Sequence, residues 1–181
     1  MYLSLSMWGF SMTLQLNTGL LTLAGRLGWA VRPTGNPRET CLGDYAHGYL
    51  LLECDGFVQV ARRSERGDPS LKLWSPSLPV LQRYLAFNIA QLVRYYEQLG
   101  APVSLTTDVA AIVEPFRLER DESGNVFLLW NDGSAEQWAG FGRGNEFVAA
   151  QVSQYATRPT GAIIADMLAP DAAVQFPAIL S

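Results

Sequence analysis

The chain has 181 residues, 49% of them hydrophobic, which is the size and balance of one globular domain with its own core. Charged residues make up 17% and the formal net charge is -4, so neither a disordered tail-like chain nor the basic footprint of a nucleic-acid or anionic-lipid binder fits. One histidine, one lysine and two cysteines leave little material for catalysis, and no run approaches the ~18 apolar residues of a membrane span.

The opening MYLSLSMWGFSM is apolar but lacks the positive start of a signal peptide, since Arg26 is the first basic residue. It reads as a tail over 1–12, followed by one domain over 13–168 and a second tail over 169–181, and cytoplasmic residence is expected. Leucines 14, 16, 20, 21, 23 and 27 predict a short helix between Thr13 and Leu27. Trp29 to Val31 then reads as a strand running into Pro33. Thr34 to His47, with Gly35, Pro37 and Gly43, reads as the longest loop. Asp55-Gly56 between GYLLLEC and FVQVARR is a hairpin signal, because glycine supplies the positive φ of a two-residue turn. Leu71 to Trp74 adds a strand.

Ser75-Pro76-Ser77 opens the clearest helix, with Leu81, Tyr84, Leu85, Asn88, Leu92, Tyr95 or Tyr96 and Leu99 on its inner face. Gln82, Arg83, Gln91, Arg94 and Glu97 are expected on its solvent face, and Gly100 with Pro102 at its end. A short apolar segment at Val109 to Val113 precedes three more strands: Phe116 to Arg120, Val126 to Trp130 and Ala135 to Phe141. A helix capped by Asn145 follows, with Phe147, Val148, Val152 and Tyr155 facing inward, then a last helix capped by Thr160. Hairpins interrupted by single helices predict an α+β fold: two antiparallel β-meander units of three strands, each followed by a helix, packed as one domain with an N-terminal helix.

The chemistry-bearing candidates are sparse. Cys41 and Cys54 lack metal-ligand spacing, and His47 is the only histidine, so no metal and no cofactor are expected. Gly140-Phe141-Gly142-Arg143-Gly144 lacks the third glycine of a dinucleotide fingerprint and reads as a connector. A Cys41–His47 pair, or the carboxylates Glu53 with Asp55 and Glu136 opposite Asp132, would be the material of a small enzyme; the bland alternative is a solvated surface. Arg62-Arg63-Ser64-Glu65-Arg66-Gly67-Asp68 mixes charge signs in a turn. With five tryptophans and seven tyrosines in the chain, that composition leans toward a protein-binding module, since Trp, Tyr and Arg anchor protein contacts.

One segment carries a resemblance. SERGDP followed by LKLWSPSLPVLQRYL presents Glu65-Arg66-Gly67, a short strand, then Ser75-Pro76-Ser77-Leu78 and Arg83-Tyr84-Leu85. It resembles the immunity-factor (antitoxin) family that neutralises tuberculosis-necrotizing-toxin-type NAD glycohydrolases, and Gly28-Trp29-Ala30-Val31 is similar to the family's opening. The likeness runs in order over roughly residues 16 to 155 and is specific over 65 to 85. It implies a cytosolic, non-catalytic antitoxin that binds a secreted NAD+-cleaving toxin 1:1 and blocks its active site, without nucleic acid or membrane. The acidic net charge would suit an electropositive toxin cleft. Contacts are expected from the 34–48 loop (Arg38, Glu39, Asp44, Tyr45) and the 62–68 turn (Arg62, Arg63, Glu65, Arg66, Asp68), with Tyr84 and Leu85 as core. The rival reading is an acidic secretion-chaperone-like module for an exported protein.

Overall fold

The computed structural model describes residues 14–133, 135–172 and 176; the 1–12 tail and most of the C-terminal tail lie outside the described residues. After helix α1 (Thr18–Gly25), five strands run in sequence, each antiparallel to the one before: β1 (Ala30–Pro33), β2 (Glu39–Gly43), β3 (Gly48–Cys54), β4 (Phe57–Arg63) and β5 (Ser70–Ser75). The long helix α2 (Leu78–Glu97) and a 3-10 turn at Val109–Ala111 lead to β6 (Arg117–Arg120), β7 (Val126–Asn131) and β8 (Glu136–Phe141). Helices α3 (Glu146–Ser153) and α4 (Thr160–Leu168) follow.

The two meanders join into one eight-stranded sheet of order β1-β2-β3-β4-β5-β8-β7-β6. Their seam is the register pair Trp74↔Gly140. A Cβ at Gly140 would lie 2.3 Å from Trp74 Cε2, so only a glycine lets the indole lie flat across the seam. Ser75 adds a second stitch: its hydroxyl donates to the Trp138 carbonyl at 2.6 Å and accepts from the Ser77 N–H at 3.1 Å. The start of α2 is thereby tied to the second meander. Ser77 sits at the N-cap position but makes no side-chain cap bond.

The α+β arrangement of two meanders, each followed by a helix, is the expected one, with a correction to the first unit. Part of the 34–47 segment that read as loop is strand β2, paired through Arg32↔Cys41 and Cys41↔Leu50. The glycines that looked like loop punctuation are what let the strands close: a Cβ at Gly43 would meet the His47 carbonyl at 2.3 Å. The β2–β3 turn is a tight one, in which Asp44 N–H donates to the His47 carbonyl at 2.9 Å.

The helices lie on one face of the sheet. Leu42, Tyr49, Leu51, Val60, Leu73, Val126, Leu128, Trp130 and Phe141 point into that layer and are buried. Alternate residues (Leu50, Leu52, Trp74, Phe127, Leu129, Trp138) are half-buried on the opposite face, which no described element covers. Trp74 and Phe127 meet edge to face at 5.9 Å, and Phe127 and Trp138 at 5.8 Å.

Helix α2 buries Leu81, Tyr84 and Leu85 as expected, and departs from its predicted faces at four positions. Gln82 is buried and accepts from Asn17 N–H at 2.5 Å. Arg94 is only 2% exposed: Nη1 donates to the Met167 and Ala169 carbonyls at 2.7 Å each, and Nη2 to Leu99 at 3.1 Å and Ala101 at 3.0 Å. Tyr95 and Tyr96 are instead exposed, in edge contact with each other. Gln98, in the left-handed region, ends the helix two residues before Gly100. Asn145 and Pro159 occupy the N-cap positions of α3 and α4 without side-chain caps, so the cap expected from Thr160 falls one residue earlier. Phe147 faces outward from α3.

The outermost strands differ in character from the interior. β1 closes on the exposed Pro33, and β6 carries Arg117, Glu119 and Arg120 on exposed positions. Arg117 forks between Glu119 at 2.9 Å and Glu136 at 2.6 Å.

Candidate functional site

Strand alternation and hairpin direction decide which of the expected contact residues meet. The β1–β2 and β3–β4 turns share one end of the first meander; the β2–β3 and β4–β5 turns share the other. Arg38 therefore lies beside Asp55 and pairs with it at 2.6 Å, far along the sheet from Asp44 and Tyr45. Arg62 and Arg63 are consecutive on β4 and point to opposite faces. Arg62 turns to the helix side, where its Nη1 donates to the Tyr49 hydroxyl at 3.1 Å.

The remaining residues assemble a groove of about 890 Å³ at the other end, lined by Arg32, Glu39, Cys41, Asp44, Tyr45, Leu50, Arg63 and Glu65 among others. Arg66 and Asp68 are exposed in the same β4–β5 turn as Glu65. Tyr45 lines it and is 82% exposed. Arg32 packs over its ring at 4.5 Å, and Arg63 Nη2 donates to its carbonyl at 2.7 Å. Arg63 Nη1 also reaches Cys41 Sγ at 3.8 Å. The turn itself is fixed by Asp44, whose carboxylate accepts from the Ala46 N–H at 2.7 Å and the His47 N–H at 2.6 Å. These bonds, His47's first, hold the Asp44 carboxyl below its ordinary pKa against the opposing effect of burial. The result is an exposed aromatic ring on a turn that is already ordered, flanked by charges of both signs.

The enzymatic candidates do not converge. Cys41 is buried in a strand, and both cysteines are free thiols. Asp55 is taken up by Arg38, and Glu136 by Arg117. The 140–144 glycines serve the seam and a turn: Gly140 receives Trp74, and the Gly142 carbonyl accepts from Asn145 N–H at 3.2 Å. Among the described residues no group of three or more His, Cys, Asp or Glu is placed to hold a metal, and no helix is long and apolar enough to cross a membrane.

Comparison with known proteins decides the family. The family model described as immunity protein 61 matches residues 23–173, which is most of the chain. The chain belongs to the immunity protein 61 family. Membership makes it an immunity protein and not an enzyme, as the segment over 65 to 85 led us to expect. Among solved structures, Rv3902c from M. tuberculosis superposes with a TM-score of 0.74 at 14% identity, covering 93% of this chain and 97% of that one. At that identity the likeness establishes a shared fold. No curated protein matches the sequence.

Proposed function

We propose that this immunity protein acts in the cytoplasm of the producing cell, binding a secreted toxin of the NAD+ glycohydrolase type in a 1:1 complex and blocking its active site. The groove around Tyr45 is the proposed contact, with Asp44, Arg63, Glu65, Arg66 and Asp68 around the anchor and Glu39 at the groove's inner end. Arg38 and Arg62 contribute nothing direct to it, because they lie at the far end and on the helix side. The observation that carries this reading is Tyr45: a large amphipathic ring is exposed, yet held by Arg32 and Arg63 from two different strands. An aromatic anchor ordered before binding loses little conformational entropy on docking, which is the usual character of an interface hot spot. The half-buried apolar face that includes Leu50 and Leu52 continues from the groove and can extend the contact toward the ~1,600 Å² of a standard interface. The net charge of -4 steers the protein toward a toxin cleft electropositive enough to hold a dinucleotide.

The test is co-purification with the product of the neighbouring reading frame, followed by an NAD+ hydrolysis assay. Equimolar immunity protein should abolish turnover, and Tyr45→Ala should weaken inhibition by about tenfold or more. A partner that is bound but keeps hydrolysing NAD+ would favour the secretion-chaperone reading and overturn this one.

A further inference from the structure

A second concavity, on the helix side and separate from the Tyr45 groove, has the chemistry of a ligand site. It is a cavity of about 310 Å³ between β3–β5, α2 and the α3 region. Three tyrosines line it. Tyr49 and Tyr84 meet edge to face at 6.3 Å, and Tyr155 stacks on Phe87 at 4.7 Å. Tyr84 and Tyr155 are 6% and 2% exposed, and neither hydroxyl has a hydrogen-bond partner among the described residues. Among the described residues neither oxygen is one of the fully buried polar atoms left without a partner, so both hydroxyls stay accessible and free to bond to whatever occupies the cavity. Burial raises the pKa of all three phenols, so each is an O–H donor at neutral pH.

The cations are placed with the same economy. Lys72 is the chain's single lysine. Val60 pairs with Leu73 and Ala61 with Leu71, so Lys72 is the extra residue of a β-bulge, the device that re-aims a side chain out of strand alternation. Both Leu71 and Lys72 consequently line the cavity. Arg62 lines it too, with Tyr49 as its hydrogen-bond partner, and neither Lys72 nor Arg62 is in an ion pair among the described residues. No aspartate or glutamate lines the cavity. Leu71 and Phe147, 44% and 47% exposed, lie among its lining residues and form an apolar rim.

We propose that this cavity binds a small organic anion, a carboxylate carried on a single planar ring, with the carboxylate toward Lys72 and Arg62 and the ring along the Tyr84–Phe87–Tyr155 wall. Two cations outside any ion pair among the described residues, together with phenol donors and no acid in the lining, favour an anion. The aromatic wall demands a ring, and a volume near the lower end of the ~300–1,000 Å³ of ligand pockets limits it to one. The proposal does not depend on the toxin contact and is tested on the free protein.

Isothermal titration and thermal shift would use benzoate, 4-hydroxybenzoate and nicotinate, with benzamide as the neutral isostere. At least one ring carboxylate should bind saturably at one site, about tenfold or more tighter than the amide. Lys72→Met should lose about tenfold in affinity, Lys72→Arg should retain most of it, and Tyr84→Phe should fall between, all with unchanged near-UV circular dichroism. Absence of saturable binding by every carboxylate, equal binding by benzamide, or an unaffected Lys72→Met protein would each overturn the assignment. Should Lys72→Met fail to fold, the comparison of carboxylate with amide on the unmodified protein decides alone.

Discussion

Arg94 gives the sharpest test of how the C-terminal helix is held. Its guanidinium is buried without a carboxylate and shared among four carbonyls, two from the loop after α2 and two from the end of α4. Replacing it with methionine, which is of comparable length, removes all four bonds and also removes the cost of burying a cation. What remains is the penalty of the stranded carbonyls. The Met167 carbonyl is in the buried interior, where an unpaired acceptor costs about 1–3 kcal/mol. Leu99 and Ala169 are half-buried and Ala101 is exposed, so water can partly replace the arginine and each should cost under about 1 kcal/mol. The expected net loss is about 3 kcal/mol, a large share of the ~5–15 kcal/mol that stabilises a domain. Urea denaturation should show the midpoint falling with little change in slope, and amide exchange should accelerate first in α4. Arg94→Lys should recover only part of the loss, because an ammonium is a point donor that cannot fork between two helix ends. A loss below about 1 kcal/mol in Arg94→Met would refute the view that these carbonyls depend on Arg94.

Other consequences are directly measurable. Gly140→Ala forces a Cβ into the Trp74 ring, so it should cost about 1–3 kcal/mol or more and alter tryptophan near-UV dichroism, whereas Gly133→Ala in an open turn should leave the indole signal alone. In binding assays with the cognate toxin, Tyr45→Ala and Arg63→Ala should weaken inhibition while Arg38→Ala, at the other end of the sheet, leaves it unchanged. The lowered pKa of Asp44 means its carboxylate stabilises the fold above the ordinary value near ~3.9 and that this contribution is lost as pH falls through the lowered folded value. Asp44→Asn should therefore melt below the native protein at pH 7, and the gap should narrow as pH falls below ~3.9; a gap that stays constant through that fall would contradict the role given to that charge.

Much of the architecture was legible because it rests on local signals. The Asp55-Gly56 hairpin, the α2 periodicity from Leu81 to Leu85 and the short strands of the second meander follow from turn chemistry and apolar spacing. β2 was hidden because its partners contribute the evidence for it: five residues ending in glycine look like loop until β1 and β3 are laid alongside. Polar residues on α2 misled for a similar reason, since the carbonyls that satisfy Arg94 come from residues up to 75 positions away. The split of Arg62 from Arg63 was readable from strand alternation alone. The tyrosine cavity was not, because β3, β4, β5, α2 and α3 each supply only one or a few residues to it.

The two ends of the sheet also constrain how any partner can engage. A strand seeking to extend the array beyond β1 meets Pro33, which has no N–H to offer, and beyond β6 it meets a row of alternating charges already neutralising one another. Main-chain zippering onto either border is thus disfavoured. A protein built this way is left to recognise its target through side chains and turns, and stays protected from polymerising with its own copies.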